Sequence, residues 1–278
     1  MPPPNLATPA IPPELAQRWQ ALLERLKELA PLAVAFSGGV DSSLLLAAAR
    51  SALGPGVTAV ICLGPFTPPW EAERAQALAA ELQADLVGVD AAELNDPAIA
   101  ANDPQRCYHC KRLRLGLLRD LAQARGIRNL VEGSQLDDAR EHRPGSRAVQ
   151  ELGVHSPLAE AGLDKAAVRA LSQALGLVTA ATPSSACLAT RVPCGIPLTL
   201  AALERIAQGE AALRAILPGQ LRLRDHFPLA RLELTPETLP LAAADPRRTA
   251  ILEALTRLGY RRVCLDLAGY APGGGVPA

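Results

Sequence analysis

The sequence predicts an α/β fold, in which a parallel sheet carries helices on both faces and a smaller C-terminal α+β domain follows. Two observations predict the sheet. Apolar runs typical of buried strands recur over residues 13–180, and stretches of helical periodicity alternate with them. A third observation predicts the second domain, because beyond residue 198 the order becomes helix, two short strands, helix and strand.

The first domain begins with an amphipathic helix over residues 13–29, where apolar side chains recur at spacings of three and four. We expect a loop at 95–106, which is rich in Asn, Asp and Pro, and mostly irregular structure at 135–162 with a strand or turn near His155. The other predicted elements are strands at 31–36, 56–63, 85–90 and 129–134 and helices at 41–52, 70–83, 110–124 and 164–175, the last capped by Asp164.

The second domain is predicted to contain a helix at 198–216, two short strands within 221–234, a helix at 245–258 and a final strand within 260–269. The predicted organisation is therefore a flexible proline-rich arm at 1–12, a nucleotide-type domain at 13–180, a second domain at 181–270 and a disordered tail at 271–278.

Composition excludes several classes of protein. The chain has 278 residues, and its 28 Lys and Arg balance 28 Asp and Glu, so the overall charge favours neither a nucleic-acid nor a membrane partner. The first residues lack the charged and apolar regions of a signal peptide, and no run of about 18 apolar residues occurs. We expect a soluble cytoplasmic protein. Its six cysteines are too sparse for a disulfide scaffold and would be thiols or metal ligands.

The stretch SGGVDS, residues 37–42, joins the first strand to the following helix. Glycines let the backbone approach an anion, and a helix N-terminus offers unpaired N–H groups and a favourable dipole. The stretch therefore predicts a phosphate-binding turn. It differs from the G-x-x-x-x-G-K-[ST] loop, because no lysine follows the second glycine. The alternative is an ordinary tight turn followed by a helix with an acidic first turn.

Ser37, Gly38, Gly39, Asp41 and Ser42 resemble the SGGxDS loop of the PP-loop ATP pyrophosphatase superfamily. The resemblance implies an adenine nucleotide alpha hydrolase-like fold and cleavage of ATP between the α and β phosphates. It implies that these residues bind ATP and its pyrophosphate, and that Asp41 helps to hold Mg²⁺, for which carboxylate oxygen is a suitable ligand.

Later segments narrow the resemblance to the LarE family. They are RCYHCK (106–111), EGSQLDD (132–138), HRPG (142–145), SPLAEAGLDK (156–165), TPSSACLATRVPCG (182–195) and GYRRVCLDLAGY (259–270). LarE is an ATP-dependent sulfurtransferase that converts the carboxylates of a pyridinium mononucleotide to thiocarboxylates during synthesis of the nickel-pincer cofactor of lactate racemase. The resemblance implies this substrate, a sulfide donor as partner, and a homo-oligomer, which is a hexamer in the family.

Two styles of sulfur transfer occur in the family. In one, the cysteine of ACLATR, here Cys187, donates its own sulfur and becomes dehydroalanine. In the other, three cysteines hold a 4Fe-4S cluster, for which the resemblance implies Cys107, Cys110 and Cys187. The complete C-x-x-C favours the cluster, although both styles begin at the same thiolate. In either case an acyl adenylate would form first, and sulfur would then displace AMP. A redox-active pair or half of a zinc site is the alternative for the C-x-x-C.

The remaining cysteines carry weaker signals. Cys62 and Cys264 lie in apolar strands and are predicted to be packed core thiols. Cys194 follows Cys187 by seven residues and is interpreted as a bystander, with a ligand or a resolving thiol as alternatives. Lys111 could balance thiolate charge or be an exposed lysine.

Cationic side chains would be needed for an anionic substrate. Arg191, Arg222 and Arg224 are the candidates for its phosphate, since arginine offers paired donors and the last two share one face of a strand. Glu210 and Asp225 resemble acids of the family's substrate site, and the resemblance implies that they orient the substrate or relay a proton. The alternative for Arg222 and Arg224 is a solvated strand face, and for Glu210 and Asp225 it is a surface charge.

Other readings stay open from the sequence alone. Trp70 begins a helix at the sheet edge where topology places an adenine site, or it is a core anchor. Transfer RNA thiolation would use the same adenylation, but it needs a basic RNA-binding surface. Amide-forming ligation would leave the cysteines unexplained, and a noncatalytic nucleotide sensor would leave the loop without a reaction.

Overall fold

The computed structural model describes residues 11–140, 144–183 and 186–271. Most of the predicted arm and tail, and parts of HRPG and TPSSAC, lie outside these residues. Contacts divide the chain into two compact units. Unit 1 takes the chain to Gly64 with Pro69–Ala91 and Cys107–Ser185, and unit 2 takes Pro65–Pro68, Ala92–Arg106 and the chain from Ala186. The predicted domains placed the boundary at 180/181 and did not anticipate that two short earlier segments belong to unit 2.

Unit 1 contains a four-stranded sheet in the order β3-β2-β1-β4, and all its pairs are parallel. This confirms the predicted α/β class. The strands, which match the predicted runs closely, are β1 (Leu32–Ala35), β2 (Thr58–Leu63), β3 (Asp85–Asp90) and β4 (Asn129–Val131). An isolated bridge joins Val131 to His155, where a strand or turn was expected.

Helices in both units follow the apolar periodicity, with additional short ones. They are α1 (Ala16–Glu28), α2 (Val40–Leu53), α3 (Pro69–Glu81), α4 (Pro97–Ala100), α5 (Arg106–Ala124), α6 (Leu136–Arg140), α7 (Pro144–Glu151), α8 (Pro157–Glu160), α9 (Lys165–Ala174), α10 (Leu200–Ile216), α11 (Leu239–Ala243) and α12 (Arg247–Arg257). None of those helices, taken over the described ranges, has the length and apolar character that crossing a membrane requires.

Helices cover both faces of the parallel sheet. Alternate residues of β1 enter different cores: Leu32 and Val34 join the core that includes α1, α2 and α9, while Ala33 joins the core that includes α5. Side chains of a strand point alternately to its two faces, so the two cores lie on opposite sides of the sheet. The apolar runs of the strands are thereby explained.

Unit 2 contains a three-stranded sheet in the order β5-β6-β7, with strands β5 (Leu221–His226), β6 (Leu229–Leu234) and β7 (Arg262–Leu265). β5 pairs antiparallel with β6, and β6 pairs parallel with β7. The predicted small α+β arrangement is confirmed. Its core is formed by buried side chains of the strands, α10 and α12, among them Leu213, Leu223, Leu232, Leu255 and Tyr260.

Three regions differ from the prediction. The expected loop at 95–106 contains α4, the expected irregular region at 135–162 contains α6, α7 and α8, and α11 was not predicted. Four of these helices have proline within their first two positions, as at Pro97 and Pro157. A proline in the interior of a helix breaks it. At the first helical position proline is favoured, because the N–H that it lacks has no partner within the helix there.

Candidate functional site

The turn after β1 holds a backbone shape that glycine permits. The sheet continues one residue past β1, because Phe36 donates its N–H to the carbonyl of Val60 at 2.8 Å. Gly38 then adopts a φ of +71°, and a Cβ there would lie 3.0 Å from the Cα of Ala75 on α3. Glycine is therefore required at position 38 for two reasons: the backbone conformation there, and the close approach of α3.

Two serine hydroxyls tie this turn together. The Oγ of Ser42 accepts the N–H of Ser37 at 3.2 Å and lies 3.1 Å from the Ser37 hydroxyl. The same Oγ donates to the carbonyl of Gly39 at 3.2 Å, while the N–H of Gly39 donates to Ser37 Oγ at 3.4 Å. The SGGxDS pattern thus forms a preorganised turn at the start of α2.

The end of β4 packs against the same helix start. A Cβ on Gly133 would lie 3.0 Å from the backbone nitrogen of Ser42 and 3.2 Å from the carbonyl carbon of Asp41. The EGS segment after β4 therefore forms one wall of the turn, which explains why that strand ends in small residues.

Asp41 is paired with a lysine that the sequence analysis gave no role. Lys165 Nζ donates to both carboxylate oxygens of Asp41, at 2.8 and 2.6 Å. Lys165 is the first residue of α9, whose cap Asp164 accepts the N–H of Ala167 at 2.8 Å as predicted. The backbone N–H of Lys165 donates to Asp137 at 3.0 Å. The starts of three helices of unit 1, α2, α6 and α9, therefore meet beside the turn.

A second lysine lies on α5. Lys111 Nζ donates to the buried Glu132 at 3.1 Å. The sequence predicted either a partner for a thiolate or an exposed lysine, and this ion pair adds a third role. Glu132 also accepts the hydroxyls of Ser134 at 2.9 Å and Ser156 at 2.5 Å. This network fixes the segment that follows β4.

The turn has the chemistry of a triphosphate site. A helix N-terminus, a glycine-lined backbone and a lysine favour anionic oxygens, and the Asp41 carboxylate, about a quarter exposed, is a hard ligand that fits Mg²⁺. Asp41 and the phosphate oxygens of the nucleotide would be ligands of the same magnesium ion. That ion would neutralise part of the phosphate charge.

The C-x-x-C lies in the first turn of α5. Cys107 is exposed and Cys110 is half-buried, and residues three apart lie on one face of a helix. The His109 ring packs edge-on against Tyr108 at 5.1 Å. These two thiols fit the donor set of an iron or zinc site. However, the described residues contain no group of three or more His, Cys, Asp or Glu arranged to bind a metal ion, so the cluster stays a prediction.

In unit 2, Cys187 precedes a short 3-10 turn, Leu188–Arg191. Its side chain is half-buried, whereas Leu188 and Ala189 are buried. Leu188 donates its N–H to the carbonyl of Phe66 at 3.0 Å, and Thr190 donates both its N–H and its hydroxyl to the Cys187 carbonyl, at 3.0 and 2.8 Å. The backbone therefore presents the thiol from the start of a fixed turn.

Two of the predicted arginines are paired with buried glutamates. Arg191 donates from Nε and Nη2 to Glu210 at 2.8 and 3.1 Å, and Arg224 donates from the same two nitrogens to Glu233 at 2.8 and 2.9 Å. All four side chains are less than a tenth exposed. None of the four is a solvated surface charge.

Arg222 lies on the same strand but has different partners. It donates to the Tyr270 hydroxyl at 3.2 Å and to the Ala271 carbonyl at 3.0 Å, and its guanidinium stacks on the Tyr270 ring. Burial, and then repulsion by Arg191 and Arg224, lowers the pKa of Arg222. A buried cation beside two others would be stabilised by an anion.

Asp225 is also buried and fully engaged. It accepts Arg205 Nη2 at 2.7 Å and the Tyr260 hydroxyl at 2.9 Å. Burial, and then the Asp225 carboxylate, raises the pKa of Tyr260 above its usual range. This triad links α10, β5 and the segment before β7.

Comparison with known proteins identifies the family. The family model for asparagine synthase matches residues 19–112. A protein of Lactiplantibacillus plantarum named pyridinium-3,5-bisthiocarboxylic acid mononucleotide synthase is 35% identical over 260 residues, which are 93% of this chain and 94% of that protein. The chain belongs to the LarE family of ATP-dependent sulfurtransferases.

Two uncharacterized proteins are also similar to this LarE-family chain. One, from Synechocystis, is 36% identical over 264 residues, covering 93% of this chain and 97% of the relative. Another, from Methanocaldococcus jannaschii, is 28% identical over 242 residues, covering 85% and 89%. These matches extend across both units, so the similarity is not confined to the nucleotide turn.

Burial in the structure tests the predictions for three further cysteines and Trp70 of this LarE-family chain. Cys62 is buried in the core of unit 1, as predicted, whereas Cys264 is only half-buried, so its prediction as a packed core thiol was wrong in degree. Trp70 is half-buried in α3 and lies outside the buried core residues that the structure describes, which contradicts the core-anchor alternative. Cys194 is exposed, and its Sγ donates to the carbonyl of Asn102 at 3.4 Å.

The sequence reasoning missed Lys165, Glu233 and Arg205. Lys165 had a signal in the quoted segment SPLAEAGLDK, but no spacing rule connected it to Asp41. Glu233 had a clearer signal: it lies opposite Arg222 and diagonal to Arg224 on the hairpin of β5 and β6, where opposite charges on one face are favourable.

Proposed function

We propose that the chain makes thiocarboxylates from a pyridinium-3,5-dicarboxylate mononucleotide, using ATP to activate each carboxylate. The observation that carries this proposal is its likeness, over 93% of the chain, to a relative named for that product. The SGGxDS turn, built by Ser37, Gly38, Gly39, Asp41 and Ser42, supplies a second support because the reaction needs a site for the departing pyrophosphate.

The first step would take place over the turn in unit 1. A substrate carboxylate oxygen attacks the α phosphorus of ATP, the bond to the β-phosphate oxygen breaks, and pyrophosphate leaves with its electron pair. The α2 N-terminus and Lys165 stabilise negative charge that builds on the leaving phosphates. Activation is needed because a carboxylate has no usable leaving group, whereas an acyl adenylate can lose AMP.

The second step would place sulfur on the acyl carbon. In the sacrificial route the Cys187 thiolate attacks, AMP leaves, and a thioester forms; loss of the Cα proton to a base then breaks the Cβ–Sγ bond. The products are the thiocarboxylate and dehydroalanine at position 187. In the other route, a 4Fe-4S cluster held by Cys107, Cys110 and Cys187 would supply the sulfide, and the protein would survive turnover. We favour the cluster route because the C-x-x-C is complete and accessible.

Arg222 would attract the anionic substrate, whereas the paired edges of Arg191 and Arg224, which the sequence analysis also assigned to its phosphate, already donate to Glu210 and Glu233. Arginine is suited to phosphate because its donors are planar and paired. Glu210 and Asp225 stay predicted acid or base groups. Each is paired with an arginine, Glu210 with Arg191 and Asp225 with Arg205.

The test starts from protein purified without oxygen. Incubation with ATP, Mg²⁺ and the dicarboxylate mononucleotide should yield AMP, pyrophosphate and a product in which sulfur replaces oxygen, detected by mass spectrometry. About four irons per chain with matching acid-labile sulfide would support the cluster route. Absence of iron, with Cys187 lighter by the mass of hydrogen sulfide after turnover, would support sacrifice. Release of pyrophosphate only with transfer RNA would contradict the proposed substrate.

Cys107→Ala separates the two routes, since the cluster enzyme should lose sulfur transfer and the sacrificial enzyme should retain it. Cys194→Ala is the matched control, because Cys194 is a similarly exposed thiol that neither route uses. Both variants should still release pyrophosphate.

A further inference from the structure

Arg191 is the last residue of the 3-10 turn that follows Cys187, and its side chain forms hydrogen bonds back to the start of that turn. From Nη1, Arg191 donates to the carbonyl of Ala186 at 2.6 Å, to the carbonyl of Cys187 at 3.2 Å and to the hydroxyl of Thr190 at 3.2 Å. The guanidinium is 3% exposed, so these bonds form away from water. Charge-assisted bonds of this kind are stronger than neutral ones.

Two more arginines bind the following carbonyls. Arg106 donates from Nη1 to the carbonyl of Ala189 at 3.1 Å, and Arg224 donates from Nη1 to the carbonyl of Thr190 at 2.6 Å. Arg106 also donates to the Asn102 side chain, whose amide group in turn donates to two backbone carbonyls of residues 193–196. Four carbonyls within residues 186–190 are thus bound by three guanidinium groups.

The paired edges of two of these arginines are already used. Arg191 gives its Nε and Nη2 to Glu210, and Arg224 gives the same edge to Glu233. A phosphate that bound either edge would leave a carboxylate buried without that partner, which is costly. Direct phosphate binding therefore explains these two arginines less well than a role toward the turn.

We infer that Arg106, Arg191 and Arg224 are positioning residues that clamp the turn at 186–190 and so fix the Sγ of Cys187 for sulfur transfer. The inference rests on the proposed function for the step it serves, and it assigns a role to Arg106, for which the sequence gave none. Glu210 and Glu233 orient two of the clamping guanidiniums. Arg222, which donates to Tyr270 and Ala271, is outside the clamp.

The clamp is tested by replacing each arginine with lysine: Arg106→Lys, Arg191→Lys and Arg224→Lys. Lysine keeps the charge but presents one nitrogen, so it cannot hold a carboxylate and a carbonyl in the same geometry. The matched control is Arg50→Lys, because Arg50 is a buried arginine of unit 1 that also donates to backbone carbonyls, those of Leu82 and Gly54.

The first measurement does not depend on turnover. Iodoacetamide alkylation of Cys187 is followed by peptide mass spectrometry in the full chain after chelation of any bound iron, with Cys264 as the internal reference. Losing one charge-assisted bond to the turn should speed alkylation of Cys187 by about tenfold. The control should leave the ratio of Cys187 to Cys264 unchanged. A rise in the control as well would show general loosening and overturn the inference.

The second measurement separates positioning from binding. In the clamp variants, kcat for thiocarboxylate formation should fall by about 100-fold, while single-turnover pyrophosphate release and KM for the mononucleotide stay near the wild-type values. A higher KM with unchanged alkylation of Cys187 would identify the arginines as phosphate ligands and overturn the clamp. If wild-type protein makes no thiocarboxylate, the proposed function fails, yet the alkylation ratio still decides whether the turn is clamped.

Thermal unfolding shows which variants are folded before either measurement. Arg106 is only half-buried, so Arg106→Lys should fold even if the two deeply buried substitutions do not. An unchanged alkylation ratio in a folded Arg106→Lys variant would remove Arg106 from the clamp and contradict the inference.

Discussion

Lys165 donates from one nitrogen to both carboxylate oxygens of Asp41, at 2.8 and 2.6 Å, although the two residues are 124 positions apart. The pair joins the start of α9 to the start of α2. Each side chain is about one third exposed or less, so the pair stabilises the fold by only about 0–1 kcal/mol. Its value to the protein lies in the charge that it places beside the phosphate-binding turn.

We predict that Lys165→Met raises KM for ATP and slows pyrophosphate release by about tenfold, since it leaves the Asp41 carboxylate facing an incoming triphosphate without its cation. The melting temperature should change little. The control is Lys27→Met, which removes an exposed lysine from the last turn of α1. Pyrophosphate release at several ATP and Mg²⁺ concentrations is the measurement, and an unchanged KM would contradict a phosphate role for Lys165.

Gly38→Ala should abolish ATP binding while the protein still folds. Alanine at a φ of +71° costs about 1–2 kcal/mol, and its Cβ would lie 3.0 Å from the Cα of Ala75, so the turn must move. Gly176→Ala is the matched control, because Gly176 has a φ of +68° and open space around it. Titration with ATP by calorimetry should show binding in the control alone. Equal loss in both would attribute the effect to backbone strain rather than to the turn.

The strands and the turn could be predicted because their signals are local. Apolar runs of four to six residues define β1, β2 and β3, and the spacing of Ser37, Gly39 and Asp41 defines the turn within one strand-to-helix junction. The pairing of Asp41 with Lys165 could not be predicted, because it depends on which helix the chain returns to that edge. No periodicity encodes such a contact.

The sequence contained a signal that Glu210 is buried, but not a signal that identified its partner. Glu210 follows Leu203 and Ile206 and precedes Leu213 at spacings of three and four, so it occupies the apolar face of α10. A glutamate on that face indicates a buried acid that needs a cation. The pattern favoured burial, but only the structure shows that Arg191 is the cation.

Gly133→Ala tests the wall of the nucleotide turn without positive-φ strain. A Cβ there would lie 3.0 Å from the backbone nitrogen of Ser42, so the start of α2 must shift by a few tenths of an ångström. We expect a several-fold rise in KM for ATP, in line with about 1 kcal/mol of lost binding. Gly116→Ala on α5 is the control, because a Cβ at Gly116 meets open space and alanine favours a helix. An unaltered KM in Gly133→Ala would show that the turn does not depend on this contact.

Glu210→Ala should be among the most destabilising single changes in unit 2. Glu210 is fully buried and accepts two bonds from Arg191 and one from the backbone nitrogen of Leu223, so its loss leaves a buried guanidinium without its carboxylate. Breaking a buried pair in this way costs about 3–5 kcal/mol, whereas an exposed helix pair contributes about 0–1 kcal/mol. Glu253→Ala, which removes the exposed partner of Arg257, is therefore the control. Urea unfolding should show a large fall in the free energy of unfolding for the first variant and almost none for the second. A loss below about 1 kcal/mol for Glu210→Ala would mean that water or another acceptor satisfies Arg191, and that the buried pair does not hold the Cys187 turn.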